Sequence, residues 1–351
     1  MSRPLSDAQH ALRHAEELLG PVIDDLHTAS VAVTGAGGFI GLALCERLAA
    51  GGARVVGLDR DAASAARVAA AGAEFAQGDT TDRQSLDHAF AGCTGVIHTA
   101  ALLGDRAGMA AQIAVNVVGT RNVLDAARDA GAERVVHLSS VATWGYDFAT
   151  DLPEDSPPRV CGDAYVDTKS ASQLLALRRG AAVVRPGDVY GPRSDPWTLR
   201  PVRALRAGTF ALPGRGDGVI TPVFIDDLVD CLVLALVHPD AGGQAVTAWD
   251  GSALTAAAFF AHYARMLGVD TVRCVPAPLL RAAAGGLGLA ARLRGREPEV
   301  SREALRYITR RAAYPNDRAR ELLGWEPRVD LAQGMLITER WLRDEGLLAV
   351  I

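Results

Sequence analysis

The residues with the clearest chemical potential are a tyrosine and a lysine four positions apart, Tyr165 and Lys169. Of the 36 basic residues, Lys169 is the single lysine and all the others are arginine. Lysine carries a compact ammonium with rotatable donors, whereas arginine carries a planar guanidinium with donors in fixed directions. The two residues therefore do not replace each other beside a titrating phenol. On a helix, residues i and i+4 lie about 5 to 6 Å apart on one face. The spacing therefore predicts a phenol and an ammonium on one surface, a pair suited to acid/base chemistry.

The composition is that of an ordinary globular chain, with 351 residues of which 49% are hydrophobic and 36 are glycine. A net charge of -5 gives no reason to expect a nucleic-acid partner. The longest apolar run, residues 228–237, is interrupted by Asp230 and is too short to span a membrane. The first 20 residues are charged throughout, so we expect no secretory signal and a cytoplasmic location. Five scattered cysteines predict reduced thiols and no metal site.

A glycine-rich turn follows the first strongly apolar segment. Residues 31–33 predict a buried strand and residues 42–50 a helix, with three glycines at regular spacing between them. Such glycines permit a tight turn, close approach of the backbone to a pyrophosphate and close helix packing, with the phosphates at the helix N-terminus. The candidate cofactor-binding residues of this segment are Gly35, Gly38, Phe39, Ile40 and Gly41.

The next strands end in further cofactor candidates. Residues 54–58 predict a second strand that ends at Asp59, whose carboxylate would accept from the adenosine ribose hydroxyls and favours NAD. Arg60 could instead meet a 2'-phosphate, which leaves NADP open. The third and fourth strands, residues 74–76 and 95–97, lead into polar or small residues suited to the adenine and to close contact with a cofactor. These residues are Asp79, Thr80, Thr99, Ala100 and Ala101.

Two polar positions follow in the same half of the chain. Asn116 lies at the start or in the interior of a predicted helix, where asparagine is favourable only as a cap or with a polar contact. A fifth strand, residues 134–138, delivers Ser139 and Ser140 to the edge where open parallel sheets bind ligands. We expect His98, at the end of the fourth strand, to be a packed residue. Strands alternating with helices predict an α/β fold with a Rossmann-type, doubly wound parallel sheet.

The second half of the chain has looser spacing. A sixth strand, residues 182–184, leads to Pro186 and Val189, which we assign to the cofactor site. Loops rich in proline and glycine follow, and residues 275–312 predict a helical, Ala- and Leu-rich segment. We therefore divide the chain into an N-terminal helical extension (1–28), a dinucleotide-binding core (29–190) and a smaller, mainly substrate-binding C-terminal lobe (191–351), with residues near 220–240 returning to the core.

Taken together, these segments resemble the extended short-chain dehydrogenase/reductases, the branch that contains nucleotide-sugar epimerases and hydroxysteroid dehydrogenases. The resemblance covers roughly residues 29–345 and rests on five motifs that occur in order. They are Thr34-Gly35-x-x-Gly38-x-x-Gly41, Asn116-Val117-Val118-Gly119-Thr120, Ser140 ahead of Gly145, Tyr165-x-x-x-Lys169, and Arg185-Pro186 through Tyr190-Gly191-Pro192. The resemblance implies hydride transfer between a substrate carbon and nicotinamide, with Tyr165 as the proton donor or acceptor.

The resemblance also implies roles for the catalytic candidates. Lys169 would hydrogen-bond the nicotinamide ribose and, as a cation, would lower the pKa of Tyr165 from about 10 towards the working range. Ser140 would donate to the substrate oxygen, and Asn116 would hold a water molecule beside the lysine. Members of this family often dimerise through paired helices, so we expect a homodimer that acts on a small molecule.

The substrate class rests on departures from the family pattern. Sugar-nucleotide members usually carry Asn and Arg at the positions of Asp188 and Ile220, where both contact the diphosphate. A carboxylate there would repel a diphosphate unless Arg215, Arg310 or Arg311 compensates. We therefore favour an NAD(P)-dependent alcohol dehydrogenase or ketoreductase with an apolar or cyclic substrate. A nucleotide-sugar 4-epimerase with tightly bound NAD and a non-catalytic NAD(P)-binding protein are the alternatives. The candidate substrate residues are Ser140, Trp144, Asp188, Trp197 and Ile220.

Overall fold

The structure, a computed structural model, describes residues 26–103, 108–148, 152–280, 282 and 302–348. The strands in chain order are β1 (Ser30–Thr34), β2 (Arg54–Asp59), β3 (Glu74–Gln77), β4 (Gly95–His98), β5 (Arg134–Leu138), β6 (Ala182–Pro186), β7 (Asp188–Tyr190), β8 (Leu212–Pro213), β9 (Val219–Ile220), β10 (Pro222–Phe224), β11 (Ala245–Ala248), β12 (Leu254–Thr255) and β13 (Cys274–Val275). Seven of them form one sheet in the order β11-β6-β5-β4-β1-β2-β3.

The helices lie between these strands. They are α1 (Phe39–Ala50), α2 (Ala65–Ala70), α3 (Arg83–Phe90), α4 (Gly108–Gln112), α5 (Thr120–Asp129), α6 (Ala164–Arg178), α7 (Arg200–Arg206), α8 (Ile225–Val237), α9 (Ala256–Met266), α10 (Arg302–Ile308), α11 (Asp317–Leu323) and α12 (Leu331–Asp344). Residues Ile113–Gly119 and Asp195–Leu199 are π-helical, and Ala62–Ser64 and Val141–Trp144 are single 3-10 turns.

The large sheet is parallel at every neighbouring pair, which explains its continuous apolar strands. Residues Val31, Ala32 and Val33 of β1 are fully buried because helices cover both faces. In register, Thr34 lies opposite Leu58 on one side and His98 on the other, so the carboxyl ends of β1, β2 and β4 meet at one edge. The predicted Rossmann-type doubly wound fold is confirmed.

Two hydrophobic layers hold the helices on the sheet. On one face, Leu44 and Leu48 of α1 and Leu232 of α8 belong to the main core. On the other face, Phe90 of α3 and Val123 of α5 belong to a second cluster that includes Leu58 and Val96 of the sheet. Both layers fix the positions from which the strand ends project towards the site.

The second half adds short strands and helices around the sheet. β7 pairs with β10 and β8 with β13, both in parallel, and β9 pairs with β12 in antiparallel orientation. α8 contacts β4, β5 and β6, so this part of the second half packs on the large sheet. β11 completes that sheet beside β6 and is a seventh strand that the sequence pattern did not indicate.

Two predicted segments lie partly outside the described residues. Of the N-terminal extension (1–28), the structure describes residues 26–28, where Leu26 is buried in the main core. Of the segment 275–312, residues 281 and 283–301 fall outside, whereas α10 and the turn that follows it are described. Over the described ranges, no helix combines the length and the apolar character needed to cross a bilayer.

Candidate active site

The glycine-rich turn joins β1 to α1 and is shaped for close backbone contact. Gly35 has a φ of 71°, and a Cβ there would lie 3.0 Å from Ala100 Cα. A Cβ on Gly41 would lie 2.1 Å from the Gly35 carbonyl oxygen. Gly38 caps α1 without a side-chain hydrogen bond, and the first turn of α1 contains no acidic residue. The N–H groups of that turn, including those of Phe39 and Ile40, can therefore bind an anion such as a pyrophosphate.

Asp59, at the end of β2, holds the glycine turn. One of its carboxylate oxygens accepts from Gly37 N at 2.9 Å and the other from Asp61 N at 2.9 Å. A carboxylate offers about four acceptor positions, so Asp59 keeps capacity for ribose hydroxyls. Arg60 beside it is exposed.

The other cofactor candidates lie at the ends of β3, β4 and β6. The Thr99 hydroxyl donates to Thr34 O at 2.7 Å, which fixes the turn that Ala100 and Ala101 continue, both half-buried. Asp79 is half-buried and accepts from Thr81 N at 2.9 Å. Three further candidates are buried in the same region of the fold: Thr80, Pro186 and Val189.

Tyr165 lies in the first turn of α6, which Asp163 caps by accepting from Tyr165 N at 3.0 Å and from Val166 N at 3.1 Å. The Ser140 side chain lies beside the Tyr165 phenol. Burial raises the pKa of Tyr165, while the Ser140 side chain opposes this rise. Tyr165 is therefore a phenol, ready to donate a proton, and Ser140 lies beside it.

Lys169 lies one helical turn further along α6, with only 3% of the residue exposed. Its ammonium donates to Leu138 O at 2.6 Å, at the end of β5. Within the described part of the chain, no carboxylate pairs with it. Burial without such a partner lowers the pKa of Lys169 to about 7.

Asn116 lies in the π-helical turn Ile113–Gly119, where a regular helix was predicted. Its amide accepts from Leu102 N at 2.8 Å and donates to Leu102 O at 3.1 Å and to Thr168 Oγ1 at 3.1 Å. Asn116 thus ties the loop after β4 to the residue that precedes Lys169. The π-helical turn, with its wider spacing, is a feature that recurs at functional sites.

Two buried histidines lie in β4 and β5, and neither was predicted to have a catalytic or binding role. His98 Nε2 lies 3.0 Å from the Thr120 hydroxyl, which itself donates to Asn116 O, so His98 carries its proton on Nε2. Burial and the Lys169 charge lower the pKa of His98 to about 3. The His137 ring lies 5.3 Å from that of His98. His98 is a packed neutral residue, as predicted.

Three of the predicted substrate residues are fully buried in this structure. Trp144 is fully buried between the Arg185 guanidinium, 4.4 Å from its ring, and Tyr314. Asp188 is fully buried in an ion pair with Arg310, and Ile220 is buried in the main core. Local sequence could not reveal this, since Tyr314 and Arg310 come from the far end of the chain.

Two aromatic residues near Tyr165 were missed by sequence reasoning. Tyr146 belongs to a small hydrophobic cluster on which both Tyr165 and Tyr307 pack. Trp197, predicted as a substrate residue, is half-buried and lies 5.9 Å from the Tyr307 ring. Tyr146, Tyr307 and Trp197 thus form a connected group of rings that adjoins the cluster on which Tyr165 packs.

Comparison with known proteins gives the family. Residues 31–248 match the model of the NAD dependent epimerase/dehydratase family. The chain belongs to this family. It is therefore an NAD-dependent enzyme of the extended short-chain dehydrogenase/reductase type, and the predicted family and cofactor are confirmed. The glycine cradle, the uncapped α1 and Asp59 fit that cofactor.

The relatives include both epimerases and reductases. A UDP-glucose 4-epimerase of Mycolicibacterium smegmatis is 32% identical over 90% of this chain and 98% of its own length. A 4-hydroxy-2-methyl-3-oxo-4-farnesyl-3,4-dihydroquinoline-1-oxide ketoreductase of Stigmatella aurantiaca is 30% identical over 86% of this chain and 93% of its own length. A dTDP-glucose 4,6-dehydratase of Streptomyces venezuelae, solved with NAD, superposes with a TM-score of 0.73 at 26% identity, covering 91% and 98% of the two chains.

Metal chemistry finds no support among the residues that the structure describes. They include no group of three or more His, Cys, Asp or Glu side chains that could hold an ion. The described cysteines are free thiols.

Proposed function

We propose that the chain is an NAD-dependent oxidoreductase that interconverts a secondary alcohol and a ketone on a relatively apolar or cyclic substrate. The observation that carries the proposal is the Tyr165 phenol with the Ser140 side chain beside it, on the same helix as the buried Lys169 and next to a group of aromatic rings. In the same region, Asp188 is held by Arg310 in a buried pair. That pair offers no free cation to a sugar diphosphate.

In the reducing direction, two hydroxyls act on the ketone oxygen. The Ser140 hydroxyl donates a hydrogen bond to it, and the Tyr165 phenol transfers its proton to it as the carbon becomes tetrahedral. When bound, NADH supplies the hydride that this reduction requires. The Lys169 ammonium stabilises the phenolate left on Tyr165, because a nearby cation favours the ionised form of a phenol. In the oxidising direction, Tyr165 takes the alcohol proton.

The proposal is tested by turnover of cyclic and apolar ketones with NADH, followed at the absorbance of the reduced cofactor. Tyr165→Phe removes the proton donor and keeps the ring, so we expect loss of turnover with little change in NADH affinity. The matched control is Tyr263→Phe, a buried tyrosine of α9 whose hydroxyl bonds Thr198. Full activity of Tyr165→Phe would contradict the mechanism.

A nucleotide-sugar 4-epimerase is the second candidate, favoured by the relative from Mycolicibacterium smegmatis. Such an enzyme would use the same Tyr165 and would retain NAD through purification. Turnover of a UDP-hexose without net change in NADH would decide for it and against ketone reduction. A non-catalytic NAD(P)-binding protein is the third candidate, and the intact set of Ser140, Tyr165 and Lys169 speaks against it.

We further propose a homodimer formed through the helices beside the active site. Four large apolar side chains of this region are 39% to 63% exposed: Leu103, Met109, Ile113 and Leu174. An exposed apolar face of this kind is typical of an interface. Light scattering should give twice the mass of 36.8 kDa for the wild type, and Ile113→Asp with Leu174→Asp should give the single mass. A monomeric wild type would refute the dimer.

The division into a cofactor-binding core and a C-terminal lobe is part of the same proposal. Candidate cofactor residues come from the segment 29–190, whereas the group of aromatic rings takes Tyr307 and Trp197 from residues 191–351. A cytoplasmic location agrees with free thiols at the described cysteines.

A further inference from the structure

Tyr307 is an aromatic residue of the C-terminal lobe in the neighbourhood of the reactive tyrosine. It belongs to α10 and packs on the same small cluster as Tyr165, the cluster that contains Tyr146. The Tyr146 and Tyr307 rings form a T-shaped pair, with 5.3 Å between the ring centroids. Trp197 lies 5.9 Å from Tyr307, inclined by 51°. These three rings, the aromatic wall, thus adjoin the cluster on which the proton-transferring phenol packs.

The hydroxyl of Tyr307 is bound on the side away from this wall. It donates to Asp188 Oδ1 at 2.6 Å, and the other oxygen of Asp188 accepts from Thr221 N at 2.7 Å and from Arg310. Burial and the Asp188 carboxylate raise the pKa of Tyr307, although the Arg310 cation opposes this. The phenol keeps its proton and remains a donor to Asp188. The hydroxyl of Tyr307 is therefore engaged by Asp188 and is not free to bind a substrate.

Arg310 holds the ring from a second direction. Its guanidinium lies 4.1 Å from the centroid of Tyr307, and its side chain is fully buried. The same side chain donates to Tyr307 O at 3.1 Å. Arg310 O in turn accepts from Val219 N at 2.8 Å, which fastens the end of α10 to β9. The Tyr307 side chain is thus fixed by a cation on one face of its ring, by the Asp188 carboxylate at its hydroxyl and by contact with the Tyr146 ring.

We propose that Tyr307 is a specificity-determining residue that selects planar ring ketones over open-chain ketones. This inference rests on the proposed ketone reduction. A flat substrate can stack on a rigid aromatic wall, whereas an open chain makes looser contact and loses more conformational freedom when it binds. The buried pair of Asp188 and Arg310 positions the wall and does not touch the substrate.

The test compares two ketones with equal numbers of carbon atoms, a bicyclic aryl ketone and an open-chain aliphatic ketone. The wild type should show a KM about tenfold lower for the ring ketone, since one aromatic contact gives a factor of this order. Tyr307→Leu should raise the KM of the ring ketone about tenfold, with little change in kcat for either ketone and in KM for the open chain. The matched variant Tyr307→Phe keeps the ring and should keep the preference.

Binding of both ketones to the NADH-loaded protein, measured by isothermal titration, separates the two levels of the hypothesis. Binding of the ring ketone without turnover would contradict the proposed reaction. The role of Tyr307 would still be tested in that case, by comparing the affinity of the ring ketone for the wild type with its affinity for Tyr307→Leu. Equal losses for both ketones, or no loss for either, would overturn the role of Tyr307. A wild type without ring preference would overturn it too, even if Tyr307→Leu did not fold.

Discussion

Replacing Lys169 with methionine should make the protein more stable near neutral pH while it abolishes turnover. Methionine keeps an unbranched side chain of similar length and removes the buried charge. The lysine has one described hydrogen bond, to Leu138 O at 2.6 Å, and no described carboxylate partner. An ammonium in such a place is costly, because a single carbonyl does not replace the water it has lost.

The magnitude follows from the pKa. Burial lowers the pKa of Lys169 from 10.5 to about 7, and each unit corresponds to about 1.4 kcal/mol, so the charged form costs about 5 kcal/mol below pH 7. Between pH 7 and 10.5 the unfolded chain holds this proton more tightly than the folded chain, so stability rises with pH across that window. Methionine leaves Leu138 O without its donor, at a cost of about 1 to 3 kcal/mol.

Urea unfolding of the wild type and Lys169→Met at pH 6 and pH 9.5 measures this difference. We expect the variant to be more stable by about 2 to 4 kcal/mol at pH 6 and to lie within about 1 kcal/mol of the wild type at pH 9.5. Tyr165→Phe is the control, because it also disables the site but removes no charge near neutral pH. Its stability relative to the wild type should not change between the two values.

A spectroscopic measurement tests the same reasoning directly. The chain contains a single lysine, so lysine labelled with carbon-13 at Cε gives one side-chain resonance for Lys169. Its chemical shift should titrate with a midpoint near pH 7. A midpoint at or above about 10, the value of a solvated lysine, together with a variant that is less stable at both pH values, would refute the argument.

Three further changes test other parts of the site. Gly41→Ala places a Cβ 2.1 Å from the Gly35 carbonyl oxygen, so NADH should bind about tenfold more weakly in a fluorescence titration; unchanged affinity would contradict the close packing. Asp163→Ala removes the cap of α6 and should lower the free energy of unfolding in urea by about 1 kcal/mol. The pKa of His98 is lowered by burial from 6.5 to about 3. The free energy of unfolding is therefore not reduced by this residue above pH 6.5, and it falls as the pH drops from 6.5 towards 3, because the unfolded chain then binds a proton that the folded chain excludes. His98→Gln should flatten this acid-induced loss of stability, and an unaltered pH profile of the variant would contradict the prediction.

The parts of the site that sequence predicted are those that depend on local spacing. Tyr165 and Lys169 share a helix face because they are four residues apart, and the turn from Gly35 to Gly41 follows from the absence of side chains. The fold class followed from the alternation of strands and helices. β11 was missed because its four residues carry too short a pattern to separate from a loop.

The parts that sequence could not predict depend on contacts between distant residues. Asp188 was predicted as a substrate residue because it stands where sugar-nucleotide members of the family usually carry an Asn that contacts the diphosphate. Its partners Tyr307 and Arg310 lie 119 and 122 residues further along the chain. The burial of Trp144 could not be predicted for the same reason, since Tyr314 and Arg185 cover it only in the folded protein.

Three buried cations differ in whether their charge is available for acid/base chemistry. Arg310 is neutralised by Asp188, and Arg185 is covered by the Trp144 ring and donates to Glu154 O at 3.0 Å and to Gln173. The charge of Arg310 and the hydrogen-bond donors of Arg185 therefore stabilise the fold. Lys169 alone among these three combines burial with a single carbonyl contact, and the reactive phenol lies one helical turn away. The described part of the chain places no counter-ion beside Lys169, so its charge is not neutralised as that of Arg310 is. In the proposed mechanism this cation offsets the rise that burial causes in the pKa of Tyr165.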